Sequence, residues 1–131
     1  MRWFQKDRAP DVWEFAADQR LGDIEAAQKI REICASAGFI AETLAAPKAR
    51  EAEFKRAFEA ERYQAAVKCA LELAKRISDD AMRDVSVSQI IALSVRAGHM
   101  QTARVLLRAI RSEKTQAELV ANHPPLTALS T

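Results

Sequence analysis

Ala97-Gly98-His99-Met100-Gln101-Thr102-Ala103 joins two helix-like segments. Apolar residues spaced three and four apart lie on both sides of it, so the glycine at its second position predicts a turn between two antiparallel helices. A second copy runs Leu21-Gly22-Asp23-Ile24-Glu25-Ala26-Ala27, and a degenerate third runs Glu61-Arg62-Tyr63-Gln64-Ala65-Ala66. Aligning Gly22, Glu61 and Gly98 brings Ile24, Tyr63 and Met100 into register, and behind them Ala27, Ala66 and Ala103. The copies lie 39 and then 37 residues apart, a period expected of stacked helix hairpins.

Working outward, Pro10 suits a first helical turn and Asp11 and Glu14 complement its dipole, giving a helix from about Pro10 to Arg20. Asp23 opens the next, with Ile24, Ala27, Ile30, Cys34 and Ala37 as its apolar stripe and Gly38 as a left-handed stop. After a connection closed by Pro47, a third helix reads Lys48 to Ala60, with Phe54 and Phe58 on one face, and a fourth reads Arg62 to Ile77. The turn between them, Glu61-Arg62, lacks glycine and is expected to be tight or nearly continuous. Ser78 is the expected N-cap of a fifth helix, Asp79 to Ala97, whose apolar C-terminal half predicts neighbours on more than one side. A sixth spans Met100 to Arg111. Ser112 caps a last one ending near Asn122, and Pro124-Pro125 stops it before a loose tail. The opening Met1–Arg8 reads as a strap whose Trp3 and Phe4 cover the first hairpin.

The expected fold is therefore all-α: one domain of six to seven helices, with antiparallel hairpins at about 10–37, 48–77 and 79–111 stacked as a short α-solenoid. A capping helix at 113–122 and a tail at 123–131 complete it. Composition agrees, since the chain of 131 residues has only 3 glycines and 4 prolines and is otherwise rich in helix formers. A plain helix bundle is the competing architecture. Twenty basic residues against 18 acidic leave a net charge of +2, too near balance for a protein defined by bulk electrostatic binding. The excess is local: residues 96 to 114 hold Arg96, Arg104, Arg108, Arg111 and Lys114 against Glu113. Cys34 and Cys69 have no Cys or His neighbours suited to a metal and read as buried thiols of a reducing, cytoplasmic setting. No apolar run is long enough to span a bilayer, so membrane insertion is not expected.

The aligned positions resemble tetratricopeptide-type repeats, whose hairpins carry a small residue at the turn, a bulky residue two later and an alanine three after that. The resemblance covers about residues 10 to 111. It departs from that family in its longer spacing and in Phe15, Phe54 and Ile91, which stand seven residues before each turn where the family is often small. It implies a concave groove lined by the first helix of each pair. Arg20, Lys55, Phe58 and Arg96 would lie there, the three cations holding carboxylates of a peptide.

Chemistry is sparse. His99 and His123 are 24 residues apart; Asp79, Asp80 and Asp84 could be read as a carboxylate cluster, but helix capping is a sufficient role for the first two, and no glycine-rich phosphate loop occurs. The expectation is no enzyme, no catalytic residue, no metal and no cofactor. A protein or peptide partner is expected instead, with self-association as a further possibility because end hairpins leave apolar sides. The alternative is a small nucleic-acid-binding regulator using Arg104, Arg108 and Arg111, spaced four and three apart on one helix face.

Overall fold

The computed structural model describes residues 11–14, 20–45 and 53–128, with Glu53–Lys55 and Ala128 described by backbone alone. Among the described residues six helices follow in chain order: α1 Asp23–Ala45, α2 Glu53–Lys75, α3 Asp80–Arg96, α4 Met100–Leu107, α5 Glu113–Asn122 and α6 Pro125–Ala128. No strand occurs among the described residues. The helix expected from Pro10 to Arg20, the strap at residues 1–8 and the start of the helix expected at Lys48 lie wholly or partly outside them. Residues 11–14 form a turn, in which the Glu14 N–H donates to the Asp11 carbonyl.

Helices α1 and α2 pack against each other, α3 packs on both, and α4 packs on α3. The core lies where the first three meet. On α1 the buried seam is Ala26, Ile30, Ile33, Ala37, Ile40 and Leu44, a run of alternating four- and three-residue steps that keeps one narrow face inward. On α2 it is Tyr63, Ala66, Val67, Ala70, Leu73 and Ala74. The alanines let the helix axes approach, while Ile30, Ile33 and Leu73, each 0% exposed, fill the space between. Truncating any of these three to Ala costs about 2–5 kcal/mol. As its pattern predicts, α3 meets neighbours on several sides, burying Val87, Ile90, Ile91 and Leu93.

Several boundaries differ from the sequence reading. The helix does not stop at Gly38; it continues to Ala45, and Gly38 is buried within it. A Cβ at Gly38 would sit 2.5 Å from Nη1 of Arg96 on α3, so this glycine makes room for a side chain. Of the expected α1 stripe Ala27, Ile30 and Ala37 are buried, whereas Ile24 is 71% exposed and Ile33 takes an inward place. At Glu61-Arg62, expected to be tight or nearly continuous, there is no turn: α2 runs unbroken through it. Neither residue breaks a helix, Tyr63 continues the buried seam, and Arg62 holds Glu59 in the preceding turn at 2.9 Å. The hairpin expected at 48–77 is therefore, over its described part, one helix.

Helix α4 ends at Leu107 instead of Arg111. The cause is long-range. Asp84 on α3, 4% exposed, accepts from the Arg111 and Ser112 backbone N–H groups, each at 3.0 Å. Gln116 Nε2 donates to the Leu107 and Ile110 carbonyls, and Ile110 turns inward to 3% exposure. The local signals at two other ends do hold. Gly98 has φ +80° between α3 and α4, and the Ser112 hydroxyl caps α5 by accepting from the Thr115 N–H. At α3 the cap is Asp79, which accepts from the Met82 N–H, one residue beyond the expected Ser78. Pro125 does not end the helical structure; it occupies the first position of α6, which buries Leu126.

Candidate functional site

Because α2 and α4 both pack on α3 and make at most marginal contact with each other, a groove opens between them. It has a volume of about 360 Å³ and is bounded by Lys68, Leu71, Glu72, Ala74 and Lys75 of α2, Arg83 and Val87 of α3, and Leu106 and Ala109 around the end of α4. Positions 68, 71, 72 and 75 are spaced three and four apart, so α2 turns one continuous stripe to the groove. The floor is apolar: Ala74 and Val87 are buried, and Leu71 and Leu106 are half-buried against the core. The rim is cationic, with Lys68 and Lys75 exposed and Glu72 between them. Arg83 is already committed, donating to the Ile77 carbonyl at 2.7 Å and to Asp80.

The sequence reading missed this face, although a signal for it exists. Leu71 is one position beyond the buried Ala70 and lies off the Tyr63–Leu73 seam. A large apolar residue there, flanked at helical spacing by charged residues, marks a second, half-exposed stripe.

Of the residues expected to share a groove, Phe58 and Arg96 border separate hollows. Arg20 is exposed ahead of α1, and the Lys55 side chain lies outside the described residues. Phe58, 46% exposed, borders a hollow with Asp11, Trp13, Glu14 and Arg62. There Arg62 grips Asp11 through two nitrogens at 2.6 and 3.1 Å and lies 5.8 Å from the Trp13 ring centroid. The hydrogen bond to Asp11 outweighs desolvation and raises the guanidinium pKa. This network tethers the 11–14 turn to α2.

Arg96 borders a different hollow, between α1 and α3, with Arg31, Cys34 and Gln89. Its guanidinium is paired with Glu42 at 2.6 Å across the Gly38 gap. Burial pushes the Cys34 thiol up to about 11, which keeps it protonated and unreactive at neutral pH.

The basic stripe is also broken up. Arg104 remains on α4, with its Nη1 buried and unpartnered among the described residues. Arg108 caps the helix, and Arg111 lies beyond the turn, 4.0 Å from Asp80. The Asp84 clamp, by ending α4 early, removes the common helix face that the four-and-three spacing implied.

The carboxylates of this region have structural partners. Asp79 caps α3, Asp80 meets Arg83, and Asp84 holds the 111–112 backbone. Asp23 accepts from Ser78 N, Ser78 Oγ and Asp79 N, and these bonds, the Ser78 backbone first, lower its pKa. His99 contributes an edge-to-face contact with Tyr63, ring centroids 5.0 Å apart. The Tyr63 hydroxyl lies beside Ser94 without full hydrogen-bond geometry, and burial raises its pKa. Among the described residues no group of three or more His, Cys, Asp or Glu side chains could hold a metal ion, and no helix is long and apolar enough to cross a membrane.

No protein-family model, curated protein or solved structure matches this chain.

Proposed function

We propose that this chain is a non-catalytic interaction module that docks a protein partner in the groove between α2 and α4. One observation carries the reading: two helices share α3 as their support yet leave Leu71, Val87 and Leu106 facing a common opening. Half-buried apolar residues inside a charged rim are the usual anatomy of a protein-docking surface, where the centre supplies affinity and the rim orientation. The tetratricopeptide-like pairing of helices enters this reading at the Gly98 hairpin alone, which sets α4 against α3 and so forms one wall. Phe58 and Arg96 border separate hollows, which favours this groove over a peptide site built from Arg20, Lys55, Phe58 and Arg96.

The test is site-specific photo-cross-linking in native cells, with a photoreactive phenylalanine at exposed Ala109 in the groove and, as control, at exposed Ser36 on α1. A discrete adduct from position 109 and none from position 36 is the expected result. Adducts absent from 109, or equal at both positions, would refute the groove. An adduct of this chain with itself would make the module self-assembling.

A further inference from the structure

Resting on the groove reading, we infer that the partner contributes a short acidic amphipathic helix, about two turns of which lie along α2 between Lys68 and Lys75.

The backbone of the occupant decides its secondary structure. The floor of the groove is aliphatic, and the α2 and α3 backbones are already engaged in their own helices. An extended segment laid on such a floor would find no sheet edge to pair with and would bury unpaired N–H and C=O groups. A helix satisfies its backbone internally and meets the floor with side chains alone. It would add a further helix to the α2/α3/α4 layer at the usual interaxial distance of about 8–10 Å. The lining stripe on α2 runs from Lys68 to Lys75, seven residue steps, which is about 10 Å of helix. The anchor is therefore some two turns long, with apolar residues at i, i+3 or i+4, and i+7.

Charge decides the flanks. Lys68 and Lys75 stand two turns apart on the rim, exposed and without an ion-pair partner among the described residues. Glu72 sits between them, where it opposes a single uniform anionic stripe. The complementary ligand thus carries Asp or Glu near each end of its apolar stripe, with a neutral or basic residue between them. Such a rim acts on encounter rate and orientation, and its effect weakens as salt rises.

The experiment uses the full chain and two labelled, end-blocked peptides of roughly 18 residues, long enough to sustain helix. Both carry leucines at i, i+3 and i+7 of an alanine-rich sequence; one has glutamates flanking the stripe and the other lysines. Fluorescence anisotropy at low salt is expected to give about tenfold tighter binding of the acidic peptide, with the preference shrinking on added salt. Lys68→Glu with Lys75→Glu, both exposed positions, is expected to reverse that preference, and circular dichroism of each variant verifies the fold. Ala109→Trp, filling the groove, is expected to abolish binding of both peptides. Equal affinity for the two peptides, a preference untouched by the double reversal, or binding that survives Ala109→Trp would each overturn the inference. If neither peptide binds while the photo-adduct at position 109 persists, the acidic helix falls and the groove stands; if both are lost, both fall.

Discussion

Replacing Gly38 by alanine gives opposite results for the two ways of reading this residue. If Gly38 ended a helix in the left-handed conformation, a Cβ would cost about 1–2 kcal/mol of strain. In the structure it lies inside α1 without a positive φ. Alanine there gains about 0.8–1.0 kcal/mol of helix propensity. Against this stands the Arg96 guanidinium, whose Nη1, Cζ and Nη2 would lie 2.5, 3.0 and 3.1 Å from the new Cβ. Those atoms are the far end of a flexible side chain that is 45% exposed, so the group can swing away at the expense of its Glu42 ion pair. An exposed pair of this kind contributes about 0.2–1 kcal/mol. The balance is neutral to stabilising, centred near +0.3 kcal/mol, or roughly 1–2 °C in Tm for a domain of this size. Urea denaturation followed by far-ultraviolet circular dichroism measures it. On an Arg96→Ala background the same substitution gains its full ~1 kcal/mol, and the difference between backgrounds isolates the guanidinium contribution. A loss of more than about 1 kcal/mol in both backgrounds would refute a continuous helix through Gly38.

Other expectations follow from the same contacts. Gly98→Ala meets no atom within 4 Å but must adopt φ near +80°, so it destabilises by about 1 kcal/mol, measured as a lower urea midpoint, whereas Gly98→Asn loses less. Asp84→Ala strips two backbone N–H groups of their acceptor; a loss of about 2–3 kcal/mol is expected, with faster hydrogen exchange at Arg111 and Ser112. The depressed pKa of Asp23 stabilises the fold above its unfolded value near 3.8, and that stabilisation is lost as pH falls through the lower folded value. The urea midpoint of the wild type should therefore fall more steeply than that of Asp23→Asn as pH drops below about 4; identical slopes would exclude the Asp23–Ser78 contact.

Much of the fold was legible because its signals are local. Alanine, glutamate, lysine and leucine favour helix wherever they stand. Gly98 permits its own positive φ, and Ser112 caps an N–H three residues away. The seams of α1 and α2 were legible as periodicity: Ala27, Ile30 and Ala37 are buried as expected, although Ile24 is exposed and Ile33 was left out of the α1 stripe. The groove was hidden for a different reason: Lys68, Leu71, Val87 and Leu106 belong to three helices, and their convergence depends on which faces pack.

By itself, then, the sequence determined that the chain is helical, that α3 would be surrounded, and that a turn falls at Gly98, all consequences of forces acting within a few residues. Tertiary structure decided whether the other punctuation would act. Gly38 is a gap for Arg96, a residue of another helix. Glu61 lies within a helix whose seam continues at Tyr63 against the core. The end of α4 was set from α3, where Asp84 offers the 111–112 backbone better acceptors than another helical turn could. A glycine or a charged residue permits several backbone outcomes at similar free energy, and the packed neighbour supplies the one or two kcal/mol that choose among them.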